Sequence, residues 1–464
     1  MHSKFVRSFS YFVLVISLAF VGYLMFKDLN WVLGDDDLFL KTTMIGKPIW
    51  SLAMCDYSIL LLLPKAIGQI IEAHFAYNLI VMSAAIFSFY HLFNKLDDQN
   101  YGLSLFFILI LFFVSGFLQI HMNCIYPERM MFLVQVLFMY FWLKGYQNDS
   151  AKFYLVSFIF CSYLIFLTEP IVAAVLVIAL TNLVLGWNQL SDKGRSNLFL
   201  LSIFSFLACL RIYASKGWVG INLFSSDVDA IGTINAIFVG EPILSLIFLL
   251  AFVRAYFVFM KSDRRTLFVD SLLFGAIIHV ITCMILVRTD PSWMFPALIF
   301  AFPSLVFWTN YLWEENKFGS ILIVLLCCMT SCFSYDISKD FVQNTYELRN
   351  NDMKVVDFIV DANISGKYVY FFTNDEPVTR FKIGADHGNV WEFDVYTHFT
   401  NYVLKNKKHF LNQNIIRPME RLEYISDDNI VMCPSEMDQK YKDYLEDRGF
   451  KILQSALNID IYGR

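Results

Sequence analysis

The sequence predicts a polytopic α-helical membrane protein of about eleven transmembrane helices, ending in a small extracytoplasmic α/β domain. Three observations predict it. The 464 residues are 57% hydrophobic and 17% charged, where soluble domains carry roughly 25% charge. Apolar stretches of about 17 to 25 residues, the length that crosses a bilayer, recur along the chain. Past about residue 352 charges return and apolar runs shorten. The net charge of −5 is small, and without a basic block it excludes a nucleic-acid partner.

The first apolar run, 9–26, follows Lys4 and Arg7 but has Phe and Met where a cleavage site wants small residues, so it reads as a retained helix. Further spans are expected at 74–93, 102–120, 130–146, 153–168, 170–187, 197–214, 242–260, 267–287, 293–313 and 318–334. Lys95, Lys144, Lys152, Lys193, Arg195, Lys261, Arg264, Arg265 and Lys317 then fall on the side of the N-terminus, which the excess of cations marks as cytoplasmic. The narrowest step is 153–187, where Glu169-Pro170 alone separates two spans. The domains are therefore 1–340, membrane helices with a long first outer loop at 27–73, and 341–464, an outer domain large enough for its own core. Within that domain Lys367–Thr373, Asn429–Cys433 and Lys451–Ile461 read as strands, and Ser435–Arg448 as a helix stopped at Gly449.

The first outer loop holds the segments 45–51 and 59–72. Pro64 interrupts the second, and both read as interfacial helix, either a lid for a lipid headgroup or a re-entrant packing segment. Of nine cysteines, Cys161, Cys209, Cys283, Cys327, Cys328 and Cys332 sit in apolar runs and read as packing. Cys55 and Cys124 can pair across the first two outer loops.

Chemistry is expected where acids and cations crowd the outer face. Asp35, Asp36 and Asp37 follow the first span. Adjacent like charges raise one another's pKa, which leaves one carboxyl poised to take a proton; the plain alternative is a solvated, helix-capping loop. Glu128 opens the fourth span in Tyr126-Pro-Glu-Arg129, and Glu169 precedes Pro170. Arg129 and Arg288 could grip a phosphate bidentately, with Lys41 and Lys47 assisting, or could simply snorkel. His121 shares a loop with Glu128 and reads as a headgroup contact, a proton shuttle or a satisfied structural histidine. Arg211 and Arg254 could face the bundle interior. No cofactor is indicated. The three Asp could hold a divalent cation through oxygen ligands, but no metal-ligand spacing supports one. Glycine-rich phosphate loops, nucleophile elbows and dinucleotide fingerprints are absent.

The pattern resembles the GT-C class of membrane glycosyltransferases: a long acidic first outer loop, a short second loop with another acid, many spans and an outer C-terminal domain. The segment Tyr126-Pro-Glu-Arg-Met-Met-Phe-Leu-Val is similar to the loop that opens a helix in serotype-converting O-antigen glucosyltransferases. The resemblance implies a bacterial inner-membrane enzyme that takes a sugar from a polyprenyl-phosphate donor and places it on a hydroxyl of a lipid-linked or lipopolysaccharide glycan. The base then comes from Asp35–Asp37, where the class more often has one or two acids than three. An inverting displacement would set these acids opposite Arg129. An O-antigen polymerase and a flippase for lipid-linked oligosaccharide are the alternatives.

Overall fold

The computed structural model describes residues 2–26, 70–96, 100–122, 128–167, 169–216, 230–263, 266–289, 291–364, 369–371, 413–415, 430–434, 439–456 and 459–464. Helices α1 (His2–Phe26), α2 (Ile70–Leu96), α3 (Tyr101–Leu111), α4 (Ser115–Met122), α5 (Glu128–Asn148), α6 (Ala151–Leu167), α7 (Glu169–Leu185), α8 (Asp192–Lys216), α9 (Ala230–Gly240), α10 (Ile243–Ala255, continued by a π turn at Tyr256–Met260), α11 (Leu267–Ile285), α12 (Pro291–Glu315) and α13 (Lys317–Ile364) follow in order. Each of the expected apolar spans overlaps one or two of them. Among the described residues six helices are long and apolar enough to cross a membrane, seven if the bent pair α3 and α4 is one span. The stretches 151–165, 170–185 and 231–240 are apolar but shorter. The chain is a multi-pass membrane protein.

Three of the expected spans differ from the sequence reading. The run 102–120 is two helices bent by 69°. The run 242–260 ends in a π turn. Finally, α13 runs on to Ile364, because the polar residues after 334 are themselves helix-compatible.

The chain forms two compact units, one of residues 1–25 with 75–342 and a second that includes 343–464. In the first, α12 is the central post. Its residues from Met294 to Val306 are almost all inaccessible, and it packs against α3, α4, α5 and α11. Two prolines, Pro296 and Pro303, lie inside it; each removes a helical hydrogen bond, and Gln135 of α5 donates to the Pro296 carbonyl. Helices α7 and α11 approach closely at Gly275, where a Cβ would strike Ile178. Aromatic rings fill the space between helices, with Phe132 edge-on to Phe295 at 5.2 Å and Phe138 stacked on Trp142 at 5.7 Å.

The turns that carry Lys95, Lys144, Lys152, Lys193, Arg195, Lys261 and Lys317 meet at one end of this unit. Asn100 bonds Asn310, Trp142 rests on Phe268, Lys193 bonds Asp149, and Asn197 bonds the Tyr154 carbonyl. At the same end Arg254 is buried. Its Nε and Nη2 donate to the two carboxylate oxygens of Asp270 at 2.9 Å each, Thr266 donates to Asp270 at 2.8 Å, and the guanidinium lies 3.8 Å from the Trp308 ring centre. This two-pronged pair with a cation–π lid satisfies a charge that would otherwise be very costly inside the protein. Arg211, by contrast, is exposed, so only one of the two intrahelical arginines faces the interior. Cys161, Cys283 and Cys327 are buried as expected of packing residues, whereas Cys328 and Cys332 are exposed on α13.

The second unit holds a mixed five-stranded sheet in the order β2-β1-β3-β5-β4, formed by β1 (Val369–Phe371), β2 (Gln413–Ile415), β3 (Ile430–Pro434), β4 (Lys451–Ala456) and β5 (Ile459–Gly463), with α14 (Gln439–Asp447) between β3 and β4. The first three strands are parallel and β5 is antiparallel to both β3 and β4. The expected single strand 451–461 is thus two strands that pair with each other. The strand at 413–415 carries too short an apolar run to be legible. Helix α14 ends on Gly449 at φ +80°, the left-handed residue that closes a helix C-terminus.

Asp270→Ala removes the two-pronged partner of the buried Arg254 and leaves it the longer contact to Asp263 at 3.5 Å, which should lower stability by about 3 kcal/mol. Thermal unfolding in detergent measures it, and Asp270→Leu combined with Arg254→Met should recover most of the loss.

Candidate functional site

At the end of the bundle opposite the lysines, the first turns of α12 are held by polar side chains from three helices. Pro291 opens the helix, where its missing N–H costs nothing. The Ser292 N–H donates to Gln119 Oε1 of α4 at 3.1 Å. The Trp293 carbonyl accepts from His279 Nε2 of α11 at 2.9 Å, which fixes the proton on that nitrogen. The Pro296 carbonyl accepts from Gln135 of α5 at 2.7 Å. These bonds gather α4, α5, α11 and α12 into one polar mouth within an otherwise apolar bundle.

A carboxylate completes it. Glu241, in the break between α9 and α10, is wholly buried. Its Oε1 accepts from the Ser115 hydroxyl at 2.7 Å and from the Gly116 N–H at 2.5 Å, capping the first turn of α4 where unpaired N–H groups and the helix dipole favour negative charge. Gly116 must be glycine, since a Cβ there would run into the Pro291 carbonyl. Burial pushes the Glu241 carboxyl up from 4.5 to about 7, against the opposing pull of Gly116 and Ser115. Its Oε2 has no partner among the described residues.

Arg288 lies on this mouth, exposed, with its guanidinium 4.8 Å from the Trp293 ring centre. The turn that presents it is strained. The Arg288 N–H reaches back to Cys283 and the Val287 N–H to Met284, the pattern normally closed by glycine, yet the left-handed residue is Val287 at φ 55°. A β-branched residue there costs about 1 to 2 kcal/mol.

Of the expected site residues, Arg288 alone is described at the rim. His121 is fully buried at the end of α4, its ring 4.7 Å from Phe117 and 6.2 Å from Phe132. Neither ring nitrogen has a hydrogen-bond partner among the described residues. Glu128 and Arg129 open α5, their side chains lying outside those described, as does that of Glu169 at the start of α7. Asp35, Asp36, Asp37, Lys41, Lys47, both interfacial segments of the first loop and the Cys55–Cys124 pair also lie outside the described residues. Among the described residues no three His, Cys, Asp or Glu side chains gather as a metal site.

Glu241, Gln119, Gln135 and His279 were not singled out by sequence. One signal existed for Glu241: it is a lone acid before a proline between two apolar helices, the same Glu-Pro pattern as Glu169-Pro170.

No protein-family model and no curated protein matches this chain. Solved structures do. ArnT from Cupriavidus metallidurans bound to undecaprenyl phosphate is 10% identical with a TM-score of 0.53, over 97% of this chain and 97% of that one. The same protein in the apo state is 10% identical with a TM-score of 0.51, over 98% of each chain. The fold is that of the GT-C class. At this identity the likeness is one of architecture.

Because the Glu241 pKa is higher folded than unfolded, the native state holds the proton more tightly, and stability should fall as pH rises from 4.5 through about 7. A shift of this size is worth roughly 3 kcal/mol at most. Melting temperatures across that range should show the slope in wild type and a flatter profile in Glu241→Gln.

Proposed function

We propose that the protein is a membrane glycosyltransferase that moves a sugar from a polyprenyl-phosphate donor to a hydroxyl of a lipid-linked or lipopolysaccharide O-antigen glycan, at the periplasmic face of a bacterial inner membrane. The observation that carries it is the GT-C architecture, shared over 97% of both chains with a protein whose structure holds undecaprenyl phosphate. Support for the orientation comes from the clustering of Lys95, Lys144, Lys152, Lys193, Arg195, Lys261 and Lys317 at the end away from the mouth. The N-terminus is then cytoplasmic and the C-terminal domain periplasmic.

In this reading one of Asp35, Asp36 and Asp37 takes the proton of the acceptor hydroxyl. The oxygen attacks the anomeric carbon with inversion, a new C–O bond forms, and the bond from that carbon to the phosphate oxygen breaks. The polyprenyl phosphate leaves with the electron pair, and guanidinium groups from Arg129 and Arg288 offset its charge, with Lys41 and His121 beside the headgroup and Glu128 beside the reacting sugar. Two planar guanidiniums suit a phosphate because each can donate two parallel bonds. No cofactor enters this reading, in which side-chain cations meet the charge that develops.

Replacing Asp35, Asp36 and Asp37 singly by Asn should leave protein level unchanged, with at least one variant losing about 100-fold or more of transfer. Full activity in all three would place the base elsewhere. Glycan mass in cells with and without the gene separates a single added hexose from a lost polymer or an accumulated precursor, the outcomes for a polymerase and a flippase. A reporter fused after Arg464 should be active only outside the cytoplasm.

A further inference from the structure

We infer that Glu241 is a positioning residue for the donor site: its carboxylate latches the first turn of α4 to the corner between α9 and α10, and through α4 it holds the start of α12, against which Arg288 lies. This deepens the glycosyltransferase reading and rests on it. Three features of the geometry carry the inference. Glu241 Oε1 accepts from the Gly116 N–H, and the Ser115 hydroxyl lies 2.7 Å from both Oε1 and the Gly240 carbonyl, so the corner at 240–241 holds the helix start. The contact has no slack, because Gly116 packs so tightly on Pro291 that a Cβ does not fit. Beyond this latch, α4 is tied to the start of α12 by the bond from Ser292 to Gln119. The Arg288 guanidinium in turn lies 4.8 Å from the Trp293 ring centre in the first turn of α12. A group that locks α4 to both corners therefore fixes the element against which this proposed phosphate-binding cation rests.

A buried acid that served only to fill space would be poorly chosen, since desolvation penalises it and hydrocarbon would pack better. The bonded oxygen, and not the charge, is the working part. Gln keeps an acceptor at that oxygen and should substitute; Ala should not.

The test uses full-length protein in lipid nanodiscs with undecaprenyl phosphate as the probe. Glu241→Ala should weaken binding about 10-fold or more and speed hydrogen exchange of the α4 amides 116–122 by about 10-fold or more, while Glu241→Gln stays within about 3-fold of wild type in both. Should Glu241→Ala fail to fold, Ser115→Ala removes one donor and should move both readouts in the same direction by about 3-fold. Wild-type affinity and exchange in Glu241→Ala would overturn the latch, and so would a Gln variant as impaired as the Ala variant. Wild-type protein that binds no undecaprenyl phosphate would instead overturn the donor reading, with the exchange of α4 still deciding the latch.

Discussion

The first turns of α12 impose the constraint from which the mouth follows. A helix start presents N–H groups without helical partners, and the proline at 296 interrupts the ladder a turn later. In an apolar bundle each such group must find a partner inside the protein, since water is scarce and an unpaired group costs several kcal/mol. Gln119 accepts from the Ser292 N–H, while His279 and Gln135 donate to the Trp293 and Pro296 carbonyls, so three separate helices meet these turns. The bonds that satisfy the backbone thereby also fix where α4, α5 and α11 stand relative to α12.

The two ends of the bundle use polar groups differently. At the lysine-rich end, Arg254 and Asp270 neutralise each other in a closed arrangement with Thr266 and Trp308, leaving little capacity for a ligand. At the mouth the groups are incompletely used. Glu241 Oε2, both nitrogens of His121, His279 Nδ1 and Gln135 Oε1 have no hydrogen-bond partner among the described residues, and Arg288 stands exposed on its strained turn.

Most of the fold was legible because bilayer-length apolar runs leave few alternatives to a helix. The separate helices on either side of Thr168 and the stop at Gly449 show how far a proline or a glycine can mark a boundary. The bend between α3 and α4 was not legible, since Phe112-Phe113-Val114 continues an apolar run without any breaker, and just beyond it Ser115 and Gly116 bond Glu241, an acid distant in sequence. The site was half legible. Arg288 stood out as a cation on an outer turn, but nothing local distinguishes buried Arg254 from exposed Arg211, because both sit in similarly apolar helices.

The amino-acid sequence alone determined that this chain crosses a membrane many times, which of its turns gather cations, and that a charged α/β segment follows the helices, since hydropathy and charge act locally and add along the chain. Tertiary structure alone decided that Glu241 meets Ser115 and that Arg254 meets Asp270 rather than open surface. Such pairings depend on which helices become neighbours, and the energy that selects them is the price of leaving a polar group unmatched in an apolar interior, felt only once the helices have packed.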